Sequence, residues 1–546
     1  MIKERIKKNR YIIWYGLCAL FLGIIDQRRG SASGNVQMIF ANLVGVAVFM
    51  LLIPSLKRGF FRCRGVRLWG CISTAALIVF IMAIKSHVHY WGLWNTAALS
   101  GVCIATLIFY ILWDRKEIFG EWRIDRIGFG IIMLSLLLML LSINRTIWPG
   151  FYLLLFGCFY LIGIPHELQD MFMEGLLGGL SLWFVGQQCI AFGFRPYDYV
   201  RYRGLYLGET QNGLFYMTAF CAFTGLWLYA RQKESKRCWQ VFCFIMAAGC
   251  GSLLLLTGGK SSLFGAVVGA FAGYLLYDIV VCSSFKHWLL QGILTGLCML
   301  LLFPAAYGCV RYLPTVMHHP VWFEGEYDDE RCVRSFDPWN SERYVSFEHA
   351  VNKSLGRFLK VLGITVKFEN DKLHLQTPLS IEVYAEEYAE PGSSKEHPYL
   401  LDGEKNNKDG FIDPARIAIW SYFFRHLNWE GHDGDIFYYR SDRLFGNAHN
   451  MFLHIAHLYG ILPGILFLGW NVWCLVRLIR RRDMAGIIGT MFMAAIMAYG
   501  MFEQATTTGQ ITLSLLFVLY YFGLEKRRLN GKTTGIETGR MSRGKN

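Results

Sequence analysis

The sequence predicts an all-α polytopic membrane protein of about 14 transmembrane helices, with one large α+β loop domain outside the bundle. Three observations carry that prediction. The chain of 546 residues is 54% apolar with a mean hydropathy of +0.33, richer than a soluble domain. Its apolar residues come in runs of roughly 16 to 23, the length that crosses a bilayer core. Between the runs, Lys and Arg recur in every second connection, as the positive-inside rule requires.

Spans are expected near 11–26, 36–55, 69–86, 96–113, 128–143, 149–164, 171–192, 212–230, 240–257, 262–282, 288–308, 447–475, 485–500 and 508–523. The first follows MIKERIKKNR and lacks a small-residue cleavage site, so it reads as a retained span rather than a leader. With the N-terminus inside, the connections KRGFFRCRGVR, DRKEIFGEWRIDR, RQKESKRCWQ, RLIRRRD and the tail EKRRLNGK all fall on the inner side, whereas 87–95 and 501–507 carry no Lys or Arg. QRR at 27–29 and the connection after the seventh span depart from this pattern. Residues 1–310 then form a first bundle, 311–446 a large outer loop domain, 447–523 the last spans and 524–546 a basic inner tail.

The outer segment 311–446 holds 16 Lys/Arg against 23 Asp/Glu, a balance of −7 that leaves +21 for the rest of the chain. The overall +14 is therefore orientation charge and affinity for anionic lipid, and it excludes a nucleic-acid surface. Within this segment VSFEHAVNKSLGRFLKVLG has helical periodicity, ITVKFENDKLHLQ alternates as strands do, and TPLSIEVYAEEY reads as a further strand. In DPARIAIWSYFFRHLNW, Asp413 is placed to N-cap a helix beginning at Pro414. Ile417, Trp420, Phe424 and Leu427 share one face of it, suited to the membrane surface or to the spans. Arg416 sits in its first turn, where the helix dipole disfavours a cation. An ion pair with Asp413 would be the structural reason; a bound anion would be the functional one.

Most of the 15 cysteines lie inside apolar runs, and no CxxC pair occurs; they read as small apolar residues. Cys309 and Cys332 could pair outside the membrane. Gly265, Gly269 and Gly273 form a small-residue ladder for helix packing.

Polar groups gather where spans meet the predicted outer side. TGGKSS at 257–262 places Lys260 at a turn, where it and backbone N–H groups suit one anion; a snorkelling lysine in a plain turn is the structural alternative. RPYDYVRYRGLYLGETQNG (195–213) adds Arg201, Arg203 and Asn212. GNAHNMFLHIAHLYG brings His449 and Asn450, and a neutral imidazole there can accept a proton from an alcohol. A zinc site is disfavoured. His449 and His454 lie about 140° apart on a helix, and His454 and His457 lack a third ligand in sequence. Those two are expected to be satisfied by neighbouring spans.

Three stretches in this order resemble the O-antigen ligase and O-antigen polymerase family of bacterial envelope proteins. RGLYLGETQNGLFYMTAF is similar to its Arg-Gly segment before an Asn that opens a span. LLLLTGGKSSLFGAVVGAF is similar to its leucine-rich span ending in Thr-Gly-Ser-Arg-Gly. DPARIAIWSYFFRHLNWEGHDG, followed by AHNMFLHIAHLYGILPGILFL, is similar to its Arg-x-x-x-Trp helix and its His-Asn, Gly-x-x-Gly span. The likeness covers roughly residues 200–475. It departs at Gly259-Lys260, where the family has Ser-Arg, and at Thr210-Gln211-Asn212, where it has an Asn-Pro-Asn-like feature. Lysine keeps the charge there and loses the bidentate fork.

The resemblance implies a metal-independent glycosyltransferase with a GT-C-like multispan fold and no cofactor, in the bacterial cytoplasmic membrane with both termini inside. The donor would be a polyprenyl-diphosphate-linked glycan, the acceptor a glycan or lipid-linked glycan, and a chain-length regulator or flippase a further partner. His449 would be the base and Arg416 a catalytic cation; Lys260, Arg203, Arg201, Asn212 and Asn450 would bind the diphosphate or glycan. The rivals are a lipid-linked oligosaccharide flippase, a metal-dependent GT-C enzyme and a nonenzymatic anchor that displays the outer loop. Against the first, no internal repeat is visible. Against the second, the first outer loop, DQRRGSASGN, has only Asp26 as an acidic residue.

Overall fold

A computed structural model describes residues 2–28, 45–47, 50–51, 125–144, 148–195, 197, 201–206, 208–282, 287–317, 345–356, 365–369, 372–376, 414–433, 437–440, 443–445, 448–503 and 511–525. The expected spans at 69–86 and 96–113, most of 36–55, the strand TPLSIEVYAEEY, Cys332 and the Asp413 cap lie outside these residues. What is described is predominantly helical, as expected for a multi-pass membrane protein. Six helices are long and apolar enough to cross a membrane, and four shorter apolar helices accompany them, among the described residues.

The helices are α1 (Ile2–Arg28), α2 (Arg126–Leu141), α3 (Trp148–Ile162), α4 (Gln169–Phe194), α5 (Glu209–Gln232), α6 (Arg237–Leu256), α7 (Lys260–Tyr277) and α8 (His287–Val316). After the polar segment come α9 (Pro414–Arg425), α10 (Met451–Tyr459), α11 (Ile461–Arg481), α12 (Met484–Gly500) and α13 (Ile511–Leu524). In the polar segment the alternation at 365–376 forms an antiparallel hairpin, β1 (Thr365–Glu369) with β2 (Lys372–Gln376). A second hairpin, unforeseen in the sequence, pairs β3 (Phe437–Arg440) with β4 (Arg443–Phe445). The helical pattern near 345–356 is a short helix at Phe347–Ala350 capped by Ser346, followed by a turn of π-helix.

Small residues set the closest helix contacts. α1 runs beside α4, where a Cβ on Gly179 would lie 2.2 Å from the Gly16 carbonyl oxygen. The Gly265, Gly269, Gly273 ladder of α7 faces α12: Gly265 meets Ala495 and Tyr499, Gly269 meets Met491 and Ala495, and Gly273 meets Met491. Backbones approach this closely only without side chains between them, which is how helices associate in lipid. The residue numbers run in opposite senses, so α7 and α12 are antiparallel, and Lys260 at the start of α7 is level with the end of α12.

Two expectations change. The expected single span at 447–475 is broken at Gly460 (φ +102), which ends α10 and opens α11. The break folds the chain sharply, since a Cβ on Gly464 would lie 2.4 Å from Ala456 Cβ, whereas residues eight apart on one helix are separated by about 12 Å. Conversely α8 continues to Val316, past the 310/311 boundary, with Arg311 buried and its Nε donating to Val345 O (3.2 Å).

The bundle thus has two ends. The starts of α5, α7 and α11 and the ends of α4, α6, α8 and α12 gather at one. The basic connections at 231–240 and 477–483 lie at the other, where Lys233 pairs with Glu174 and Arg477 with Asp125.

Candidate functional site

At the first end the chain enters α10 through three residues in three conformations. Ala448 is buried, His449 is left-handed (φ +45), and Asn450 is extended (φ −153). Asn450 Oδ1 accepts from Phe452 N and Leu453 N (both 3.0 Å), capping α10, and its Nδ2 donates to Met501 O (3.0 Å). Asn450 is therefore a clamp between α10 and the end of α12. The left-handed residue before it is uncommon for a non-glycine, and such strain concentrates at functional sites.

That turn delivers the His449 ring to Glu503, three residues beyond α12. Nδ1 of His449 is 3.1 Å from Glu503 Oε2. The other carboxylate oxygen, Oε1, accepts from Arg416 Nη2 at 2.6 Å, and Arg416 Nη1 donates to Phe502 O at 2.9 Å. Glu503 is thus shared between an imidazole and a guanidinium that are 33 residues apart in sequence. Its side chain is 10% exposed, against 28% for Arg416 and 30% for His449. The carboxylate is enclosed and the two basic groups reach outward from it. Phe502 anchors the arrangement between Phe264 of α7 (5.6 Å, edge-on) and Trp420 of α9 (6.1 Å).

Helix α9 starts at Pro414 as expected, but its packed face is rotated. Ile419 and Phe423 are buried against Ala448 and Leu453, while Ile417 and Phe424 are exposed. Trp420 alone of the expected stripe turns to the site. This rotation brings Arg416, one turn before Trp420, onto Glu503.

The second group lies at the same end. Gly265 touches Tyr499, so Lys260, five residues earlier, and Glu503, four residues later, project beyond that contact from adjacent helices. Lys260 is the first residue of α7 and is exposed. Arg201 packs on Gly258, its Cγ 3.4 Å from where a Cβ would be. Arg203 pairs with Glu209 (3.5 Å), both partly exposed. Asn212 differs: it is buried, donates to Tyr202 O (3.1 Å) and packs on Gly204. Its amide holds the 201–206 loop in place, as does buried Arg195, which donates to Gly204 O (3.1 Å).

His454 and His457 face α9 and its following loop, with the His454 ring 6.5 Å from that of Phe423. His457 stacks on His432 at 3.9 Å with 3° between the rings and lies 4.6 Å from Phe423. Parallel stacked imidazoles hold their lone pairs in separate planes, so His432 and His457 cannot converge on one metal ion.

Glu503 is the residue of this candidate site that the sequence did not single out. It stands in the 501–507 connection, noted only for lacking Lys and Arg, and a lone Glu there carries no motif. No family model, curated protein or solved structure matches the chain.

Proposed function

We propose that the chain is a metal-independent glycosyltransferase of the O-antigen ligase and polymerase type, moving a polyprenyl-diphosphate-linked oligosaccharide to a glycan or lipid-glycan acceptor in cell-envelope polysaccharide synthesis. The single observation that carries the reading is Glu503 bridging His449 and Arg416 at one end of a membrane-embedded bundle, with Lys260, Arg201 and Arg203 at the same end. In this reading the chain has about 14 spans with both termini in the cytoplasm, the site end faces outward, and residues 311–446 form an α+β unit there.

The chemistry follows from the pairings. Glu503 holds Nδ1–H of His449, which makes Nε2 the basic nitrogen and fixes the ring's direction. Nε2 takes the proton of an acceptor hydroxyl as that oxygen bonds to the donor's anomeric carbon. The bond from that carbon to the diphosphate breaks, and the polyprenyl diphosphate leaves with its negative charge met by Arg416, Lys260 and Arg203. Asn212 and Asn450 serve by shaping the loops that present these cations.

The test is transfer by the purified protein in liposomes containing a polyprenyl-diphosphate oligosaccharide and a glycan acceptor, with EDTA present. Transfer should persist in EDTA and fall by about 10²–10⁴-fold in His449→Ala, the range of general-base contributions. Full activity in both His449→Ala and Arg416→Ala, or none in EDTA, overturns the reading. Transbilayer movement of the glycolipid without transfer would favour the flippase.

A further inference from the structure

Helix α9 packs on the site with one side and leaves the other bare. Phe424 is 69% exposed, and Trp429, four residues past the helix end, is 71% exposed; no other Phe or Trp among the described residues is as exposed. Two large rings facing water would forfeit the favourable burial of their apolar area, about 25 cal/mol per Å².

Their position suggests what covers them. Residues 428–432 are hydrogen-bonded to the ends of two membrane helices. Just past α2, Ile143 N donates to Glu430 O (3.3 Å) and Asn144 Nδ2 to His432 O (2.8 Å). At the start of α11, Ile461 N donates to Asn428 O (2.9 Å). The carbonyl oxygen of Trp429 lies 2.3 Å from where a Cβ on Gly460 would be, a contact that only glycine permits. At this same level α2 and α11 turn apolar side chains outward: Leu141 is 73% exposed, Leu462 44% and Ile465 61%. These belong to the wall that meets lipid acyl chains, so the aromatic pair continues that wall at its rim.

We propose that α9 and the segment after it dock on the bilayer surface, with Phe424 and Trp429 seated between headgroups and acyl chains. Aromatic rings are enriched at that depth, and a helix with one apolar side lies in the interface plane. The partner is the lipid surface itself. Phe424 is eight residues, about 12 Å, along the same helix from Arg416. The bilayer therefore sets the depth of Arg416 and holds it level with lipid phosphates. The inference rests on membrane embedding and not on the transfer reaction.

A photoreactive probe tests this in the full-length protein in phosphatidylethanolamine/phosphatidylglycerol vesicles. Phe424→benzoylphenylalanine and Trp429→benzoylphenylalanine are irradiated singly, and lipid adducts are counted by mass spectrometry. Position 468, on the outward face of α11, is the lipid-facing control, and position 234, in the exposed turn after α5, the aqueous one. Adduct yields at 424 and 429 within about threefold of 468 and about tenfold above 234 are expected for rings at the interface. Protein adducts alone, or yields matching position 234 while 468 reacts, overturn the docking and leave the membrane fold intact. Failure at 468 as well overturns both. Transfer activity of the same variants is read separately.

Discussion

Arg416 and Arg481 are both arginines held by carboxylates at the ends of membrane helices, and they are built in opposite ways. Arg481, at the end of α11, gives its Nε to both oxygens of Asp483 (2.9 Å each), Nη1 to Glu525 (2.9 Å) and Phe522 O (3.1 Å), and Nη2 to Gln169. Its side chain is 10% exposed and that of Glu525 is 8% exposed. This network ties α4, α11 and α13 together and closes on itself. At the other end the carboxylate is enclosed while its two basic partners remain about three times as exposed. A closed ion network resists separation of its helices. One with a shielded acid and outward bases can present charge and a directed imidazole to a ligand. The contrast separates structural charge from charge suited to chemistry, although both use the same residue types.

That contrast can be broken from either side. The largest expected effect is at the closed end. Arg481→Ala removes the cation shared by Asp483, Glu525 and Gln169 and should cost about 3–5 kcal/mol of stability, the range for breaking a buried pair, read as a lowered unfolding temperature in detergent. The rate per folded molecule should hardly change. Glu503→Gln is the matching change at the site. It keeps shape and removes charge, and should lower transfer about 10–100-fold, as loss of a group that orients another does, with an altered pH–rate profile and little change in unfolding temperature. A large drop in that temperature would make the site a second structural lock. Arg416→Lys keeps charge and loses the fork that spans Glu503 and Phe502 O; about tenfold lower transfer is expected, near 1.4 kcal/mol. Asn450→Ala removes the cap of α10 and should cost about 1 kcal/mol of stability, with a smaller loss of transfer through the His449 turn.

How much was legible depended on the range of the interaction. The helices α4 to α8, α12 and α13 were readable because each carries its signal within its own twenty residues, as in LLLLTGGK or MAGIIGTMFMAAIMAYG. His449 and Lys260 were singled out as polar residues where spans meet the outer side, and Arg416 as a cation in the first turn of a helix. The break at Gly460 was not: glycine is common in spans, and only Ala456 and the 428–432 loop packed against it show that the chain turns there. Which side of α9 packs on the bundle was left open in the sequence because Ile417, Ile419, Phe423 and Phe424 are all apolar. Periodicity alone cannot choose which of two overlapping stripes meets the bundle.

By itself, then, the sequence determined the membrane class, the alternation of basic connections, and the gathering of Arg, Lys and His toward one end of the spans. Hydrophobic length and charge position are local quantities, and the bilayer acts on them directly. Only the tertiary structure decided that Glu503 joins His449 to Arg416, that Asn212 and Asn450 hold loops, and that Phe424 faces away from the bundle. The Glu503 bridge and the Asn450 contact to Met501 depend on packing between helices distant in sequence, and side-chain type does not encode which partner that packing supplies.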